Sequence, residues 1–142
     1  MSAAPPPLWS LHPQLANDTT SIGDLPLARV LLMNDASYPW LVLVPRQADI
    51  VEIIDLNDDQ QMQLMSEITL LARVLRDVTG CHKLNIAAIG NVVPQLHVHI
   101  VARRRDDAAW PRPVWGAAPP RAYEPATQEK LIAAIRQEVA FG

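Results

Sequence analysis

The chain has 142 residues, 49% of them apolar, which is enough for one domain with a sizeable hydrophobic core. No apolar run approaches the roughly 18 residues of a membrane-spanning helix, and the proline-rich start lacks the charged and apolar regions of a secretory signal. The net charge of −3 argues against general affinity for nucleic acid and the single cysteine excludes an internal disulfide, so we expect a cytoplasmic protein with no nucleic-acid or membrane partner.

The first third of the chain is predicted to contain a proline-rich arm and three strands. Residues 34–37 have turn chemistry, because Asn, Asp and Ser side chains bond their own backbone. Two apolar runs joined by such a short polar link predict an antiparallel pair. The predicted elements are an arm at 1–15, a strand at 19–22, a turn at Gly23 and Asp24, and buried strands at 27–33 and 41–44.

A long amphipathic helix is predicted over residues 58–79. Asn57 is a suitable N-cap and Gly80 a suitable helix stop. Met62 and Met65 are interpreted as core filling. One apolar stripe repeats at spacings of three and four residues, as the core-facing side of a helix does. Its members are Leu64, Ile68, Leu71, Leu75 and Val78.

The second half of the chain is predicted to add two strands and a final helix. Residues 110–116 contain two prolines and a glycine, which exclude regular structure there. Strands outnumber helices and no strand–helix–strand alternation recurs, so the pattern predicts an α+β fold built on an antiparallel sheet. The elements are a strand at 83–89, a turn at Gly90 and Asn91, a strand at 96–103, and a helix starting after Thr127.

Residues 95–101 alternate polar with large apolar side chains, which is the period of a β-strand. Gln95, His97 and His99 are therefore expected on one face of that strand, with neighbours roughly 7 Å apart. Two imidazoles at this spacing suit a phosphate or a metal ion. Three arginines follow at 103–105, and they are either a solvated strand end or a local field that attracts an anion.

Three interpretations of the histidine pair remain open from the residues alone. In the first, one imidazole attacks phosphorus and forms a covalent intermediate while the other holds the charged oxygens. In the second, both bind a transition metal that needs further ligands. In the third, the domain binds a nucleotide without turning it over. The candidates for further metal ligands are His12, His82, Asp35 and Cys81, whose spacing does not point to a shared site.

Residues 91–101 resemble the signature of the histidine triad family of nucleotide hydrolases and transferases, His-φ-His-φ-His-φ-φ, where φ is apolar. The chain fits every position except the first, where Gln95 stands instead of a histidine. The predicted strands and long helix upstream follow the family's order, so the resemblance covers about residues 20–105. Residues 110–116 are more weakly similar to the Trp-Pro-containing tail of the nucleoside phosphoramidase branch.

The resemblance implies an antiparallel sheet of about five strands, a long helix and a homodimer. It also implies that His97 attacks the α-phosphorus of a nucleotide and that His99 contacts the phosphate oxygens. Asn91 matches a position that contacts phosphate, and Asn34 matches one near the ribose, for which Asp35 is an alternative. The implied substrates are nucleoside phosphoramidates, dinucleoside polyphosphates or other adenylylated small molecules, and the nucleophilic step needs no metal or other cofactor.

Gln95 is the position at which this chain departs from the family signature, and the departure bears on the rate of catalysis. A backbone carbonyl can still hold the imidazole tautomer that frees the attacking nitrogen, and a neutral amide can donate to phosphate, but it cannot act as a general acid. We therefore expect His97, His99 and Gln95 to be catalytic, with an altered leaving-group preference or a lower rate. The alternatives are a catalytically weakened nucleotide-binding module and a metal-dependent enzyme with both histidines as ligands. Three tryptophans are interpreted as core or dimer packing rather than as base-stacking residues, namely Trp40, Trp110 and Trp115.

Overall fold

The computed structural model describes residues 8–142, so the first seven residues of the predicted arm lie outside the described residues. Five strands and three α-helices occur in this part of the chain. The strands are β1 Thr19–Asp24, β2 Ala28–Met33, β3 Trp40–Pro45, β4 Lys83–Ala87 and β5 Val98–Arg103. The helices are α1 Pro13–Asp18, α2 Asp58–Thr79 and α3 Pro125–Glu138, with a short 3-10 turn at Ile53–Asp55.

The five strands form one antiparallel sheet in the order β1-β2-β3-β5-β4, which confirms the predicted α+β fold. β3 and β5 lie inside the sheet, and every residue of both strands is buried. In β5, His99 is paired with Val42 of β3 and with Ala87 of β4. This double pairing holds the backbone of His99 within the sheet.

Alternate residues of β3 and β5 face two different cores. On one side of the sheet, Leu41 and Ile100 pack with the apolar residues of α2 and α3. On the other side, Val42 and Val101 pack with residues of α1 and of the chain that follows β5. Because side chains alternate along a strand, His99 faces the second core. The histidine therefore lies on the face of the sheet that α2 does not cover.

The long helix α2 begins and ends at the predicted residues. Asn57 and Gln60 exchange capping hydrogen bonds of 2.9 Å each, and Gly80 ends the helix with a left-handed φ of 62°. The prediction that Met62 and Met65 fill the core is wrong, since they are 70% and 61% exposed. Both lie off the apolar stripe of the helix. Within residues 8–142, no helix combines the length and the apolarity that crossing a membrane requires.

Some element ends differ from the prediction, one because of a tertiary contact and one because of a local preference. Gly23 and Asp24 were predicted as a turn, but they continue β1 through a β-bulge. The Phe141 ring lies over Gly23, where an added Cβ would come within 2.6 Å of it, so this glycine permits a close approach rather than a turn. α3 starts at Pro125 rather than after Thr127, because proline suits the first turn of a helix.

A short helix begins within the predicted arm, and the strands around the histidines are shorter than expected. Pro13 occupies the first turn of α1, and the ring of His12 caps that helix. β4 stops at Ala87 and β5 starts only at Val98. Residues 88–97 therefore lie outside the regular strands, between β4 and β5.

Of the three arginines at 103–105, Arg104 and Arg105 are exposed, as a solvated strand end predicts, whereas Arg103, the last residue of β5, is buried. Arg103 is 1% exposed, and it donates two hydrogen bonds of 2.8 and 3.0 Å to the Asp107 carboxylate and one of 2.8 Å to Asn85. Arg104 donates to the backbone carbonyl of Thr79 at the end of α2, and Arg105 donates to the ring of His82. These arginines therefore join β5 to neighbouring segments of the fold.

Glu67 of α2 connects the helix to the start of β2. Its carboxylate is buried and accepts the backbone N–H groups of Leu27 and Ala28 at 2.9 and 2.8 Å. We expect Glu67→Ala to lower the free energy of unfolding by about 2–5 kcal/mol, because it leaves both buried donors unpaired. Urea denaturation measures this change. Glu129→Ala, at an exposed position of α3, is the control, and equal stability of the two variants would contradict the assignment.

Candidate active site

A cavity of about 760 Å³ opens beside the two histidines. Its walls come from α1, from the turn that follows β2, and from residues 89–93 between β4 and β5. His97 and His99 line the cavity together with Trp40 and Trp115. The fold thus brings the two histidines of the sequence motif to one ligand-sized cavity.

His97 is held in one tautomer by the main chain. Its Nδ1 lies 2.7 Å from the backbone carbonyl oxygen of Gln95. A carbonyl can only accept, so Nδ1 carries the proton and donates it. The Nε2 atom of a neutral ring then keeps its lone pair. His97 lies just before β5, where the chain has left the ladder, so its ring and the carbonyl two residues earlier can meet.

His99 is held in the opposite tautomer by a tryptophan. The indole Nε1–H of Trp40 donates to Nδ1 of His99 at 2.9 Å, so a neutral His99 carries its proton on Nε2. Burial, together with the smaller effect of the neighbouring His97, lowers the pKa of His99 from 6.5 to about 4. His99 is therefore a neutral hydrogen-bond donor at neutral pH.

The two rings form a complementary pair. Their centroids are 4.9 Å apart, closer than the roughly 7 Å expected of same-face strand neighbours, and the rings meet edge to face. One ring offers a nitrogen lone pair and the other an N–H. This arrangement suits an electrophilic phosphorus beside a charged oxygen, because the first needs a nucleophile and the second a donor.

The tryptophans differ in what they contribute. Trp40 is buried beside His99, with ring centroids 5.6 Å apart, and Trp115 lies 5.1 Å from the same ring. Both line the cavity. Trp110 instead packs against the Arg103 guanidinium at 5.5 Å and is not a cavity residue. Trp40 therefore does more than fill the core, since its indole N–H fixes the tautomer of His99.

The side chain of Gln95 is bonded to the N-terminal segment. Its Oε1 accepts the backbone N–H of His12 at 2.8 Å, and its Nε2 donates to the carbonyl of Ser10 at 2.9 Å. Gln95 is not among the residues that line the cavity. Its contact with His97 is made by its main chain, and its amide is occupied by the N-terminal segment rather than directed at a ligand.

The remaining predicted site residues, Asn34 and Asn91, both line the cavity. Asn34 Oδ1 accepts from the Thr20 hydroxyl at 2.8 Å, which orients the amide. Asp35, the alternative for the ribose, is buried, and its carboxylate accepts the backbone N–H of Ser37 at 3.0 Å. Asn34 and Asp35 lie on the side of the cavity formed by the turn after β2, and Asn91 lies on the side formed by the segment between β4 and β5.

Sequence reasoning missed the contribution of α1 to the cavity. Gln14, Asn17 and Asp18 line it, although the prediction placed no element there. Pro13 after a capping residue is the one local signal for this helix. The role of Trp40 also went unseen, because its bond to His99 requires the β3–β5 register, in which it lies diagonally across from that histidine.

The donor chemistry of the site does not favour a metal centre. Among residues 8–142, no group of three or more His, Cys, Asp and Glu side chains is arranged to hold a metal ion. A neutral His99 has no free ring lone pair while Trp40 donates to it. His82 and Cys81, two of the candidate ligands, are not among the cavity residues.

The lowered pKa of His99 makes stability depend on pH. Its pKa is about 4 in the folded protein against an ordinary 6.5, so the unfolded state binds more protons between these values. The contribution of His99 to the stability of the folded protein is fully present above the ordinary pKa of 6.5. It is lost as the pH falls towards the folded-state pKa of about 4. From pH 7 to pH 5 we expect the free energy of unfolding to fall by about 2 kcal/mol from this group.

Urea denaturation of the wild type and of His99→Phe at pH 7 and pH 5 measures this effect. In His99→Phe, the free energy of unfolding should change much less between pH 7 and pH 5. His82→Phe, which replaces an exposed histidine, should show the same change as the wild type. The lowered pKa of Asp107 acts only below its ordinary value of 3.8, outside this window. An equal pH response of wild type and His99→Phe would show that His99 is not the group responsible.

Known proteins resemble this chain in both sequence and structure. The HIT domain family model matches residues 14–106. A histidine triad protein from Bradyrhizobium japonicum is 58% identical, with a TM-score of 0.94 over 94% of this chain and 100% of that one. One from Marinobacter aquaeolei VT8 is 42% identical, with a TM-score of 0.90 over 93% and 96% of the two chains. One from Sinorhizobium meliloti 1021 is 41% identical, with a TM-score of 0.90 over 92% and 97%. A search of curated proteins gave no match.

Proposed function

Because this chain belongs to the HIT domain family, we propose that it is a nucleotide hydrolase or transferase that works through a covalent nucleotidyl-histidine at His97. The observation that carries the proposal is the pair of opposite tautomers. The carbonyl of Gln95 leaves Nε2 of His97 free to attack, and Trp40 leaves Nε2–H of His99 free to donate. A nucleophile and an oxyanion donor thus lie side by side on one cavity.

The proposed reaction has two displacements at phosphorus. In the first, the Nε2 lone pair of His97 bonds to the α-phosphorus, and the leaving amine departs with the electrons of its P–N bond and takes up a proton from solvent. The His97 ring is then cationic, and its Nδ1–H bond to the Gln95 carbonyl stabilises it. In the second, water attacks phosphorus and loses a proton, and the P–Nε2 bond electrons return to the ring. The products are the amine and a nucleoside monophosphate.

His99 acts on the charge that gathers on the phosphoryl oxygens. Its Nε2–H points away from Trp40, and the ring stays neutral at pH 7 because its pKa is lowered to about 4 by burial and by His97. His99 is buried, and a fixed neutral donor of this kind strengthens its bond as negative charge develops in the transition state. His99 therefore stabilises the transition state without exchanging a proton.

The charge of the cavity favours a phosphoramidate over a polyphosphate. Its lining includes the carboxylates of Asp18 and Asp35 and, among the described residues, no lysine or arginine. A nucleoside phosphoramidate carries a single negative charge at phosphorus, whereas a dinucleoside polyphosphate carries several negative charges that such a site would repel. We therefore propose a nucleoside phosphoramidate as the substrate class, with Asn34, Asp35 and Asn91 as ligand contacts.

The test compares adenosine 5′-phosphoramidate with diadenosine tetraphosphate in buffer containing EDTA. We expect kcat/KM to be at least about tenfold higher for the phosphoramidate, because it avoids the repulsion of several charges. Chelation should leave that activity unchanged, since the attacking group is His97. Faster cleavage of the polyphosphate, or loss of phosphoramidase activity with EDTA that zinc restores, would contradict the proposal.

A second copy of the chain is the proposed partner at the sheet edge. β4 is an edge strand, and Ile86 on it is 49% exposed. Unpaired strand edges with exposed apolar residues commonly pair with another chain. We expect sedimentation to give twice the mass of one chain, and Ile86→Lys to shift the protein towards monomer. A monomeric wild type at micromolar concentration would contradict the dimer.

A further inference from the structure

The side chain of Gln95 holds the main chain of the N-terminal segment. It accepts the backbone N–H of His12 at 2.8 Å and donates to the backbone carbonyl of Ser10 at 2.9 Å. A neighbouring strand in a parallel sheet bonds the same two groups, the carbonyl of one residue and the N–H two residues later. The carboxamide thus binds residues 10–12 as a strand neighbour would, from 83 positions away in the sequence.

The bound segment leads directly into one wall of the cavity. His12 caps α1, where its Nδ1 accepts the backbone N–H of Gln14 at 3.1 Å. Gln14, Asn17 and Asp18 of this helix line the cavity that also holds His97. α1 has only six residues, so its placement depends on the chain that precedes it.

The same residue also contacts the nucleophile. Its main-chain carbonyl accepts the Nδ1–H of His97 at 2.7 Å. We infer that Gln95 is a positioning residue that ties α1 to the nucleophile and thereby sets substrate affinity and choice at that wall. Its backbone fixes the lone pair of His97, and its side chain fixes α1. The kinetic consequence rests on the proposed function, whereas the tether itself does not.

A glutamine can make this tether and a histidine cannot. The oxygen and nitrogen of a carboxamide lie side by side and form a fork of one acceptor and one donor. The two nitrogens of an imidazole point apart, so one ring does not meet both backbone groups, and a glutamate has no N–H to give. The glutamine at the first position of the triad therefore has a structural use in this chain.

The first test compares Gln95→Met with Gln61→Met. Gln61 donates its amide to the carbonyl of Leu56 at 2.9 Å near the start of α2, so this control loses a similar bond away from the cavity. With adenosine 5′-phosphoramidate, we expect Gln95→Met to raise KM and the dissociation constant of AMP by about tenfold, while kcat stays within about twofold. Gln61→Met should change none of these.

The second test removes the partner of Gln95 in the backbone. His12→Pro deletes the N–H that Gln95 accepts, and the φ of −55° at His12 already suits proline. His12→Ala loses only the helix cap. The difference in KM between these two variants therefore measures the contribution of the N–H that Gln95 accepts. When each is combined with Gln95→Met, His12→Pro and His12→Ala should give the same KM, because the hydrogen bond between His12 and Gln95 is already absent.

Hydrogen exchange at the His12 amide gives a readout that does not depend on catalysis. We expect exchange to quicken at least about tenfold in Gln95→Met, because the amide loses its acceptor. Unchanged KM and unchanged exchange, or a fall in kcat at unchanged KM, would overturn the inference. A wild type that neither turns over phosphoramidate nor binds AMP would overturn the proposed function instead, and the exchange measurement would still decide the role of Gln95.

Discussion

Replacing His97 by glutamine is expected to lower kcat for adenosine 5′-phosphoramidate by about 10⁴-fold or more, because the variant has no nitrogen lone pair to attack phosphorus. His97 is 7% exposed and lines the cavity, so glutamine can occupy its place without a large loss of packing. Steady-state hydrolysis, monitored by release of AMP, measures the loss.

Two controls separate the loss of the nucleophile from a loss of fold or binding. AMP affinity in His97→Gln should stay within about threefold of the wild type, because the variant loses a reacting group rather than the binding walls. His82→Gln changes the same residue type outside the cavity and should keep full activity. If His97→Gln kept more than about 1% of the wild-type kcat, His97 would not be the nucleophile.

Replacing His99 by phenylalanine is expected to lower kcat by about 10²- to 10³-fold, the usual cost of removing one donor to a developing oxyanion. The aromatic ring preserves the packing against Trp40 and Trp115, whose centroids lie 5.6 and 5.1 Å from that of His99. KM should change little, because the lost bond strengthens only as charge develops.

A double-mutant cycle with Trp40 tests why His99 is a donor. Trp40→Phe removes the N–H that holds the tautomer of His99, and we expect a smaller loss of kcat, about tenfold. Since Trp40 acts through His99, the double variant should be no slower than His99→Phe alone. Additive losses would mean that the two residues act on the substrate separately.

Local signals explain which parts of the fold were predictable. The bounds of α2 follow from residues within the helix and next to it, since Asn57 and Gln60 cap one end and Gly80 ends the other. β2 and β3 were predicted within one residue at each end, because both are short apolar runs bounded by turns. Such elements carry their start and stop signals in adjacent residues.

The parts that sequence reasoning missed depend on contacts between distant residues. Gly23 followed by Asp24 is typical of a turn, and only the contact with the Phe141 ring shows why a glycine stands there. The side-chain partners of Gln95 lie 83 and 85 positions earlier in the chain. The motif indicated which residues carry the chemistry, but the partner that sets the tautomer of His99 lies on another strand. No periodicity reports such pairings before the register is known.

Mass spectrometry of the reacting protein tests the central claim most directly. The wild type is mixed with adenosine 5′-phosphoramidate, quenched during turnover at alkaline pH to protect the P–N bond, and digested. We expect one adenylyl group on the peptide that contains His97, absent from His97→Gln and lost as substrate is exhausted. Turnover without any adduct, or an adduct on a residue other than His97, would contradict a covalent nucleotidyl-histidine at this position.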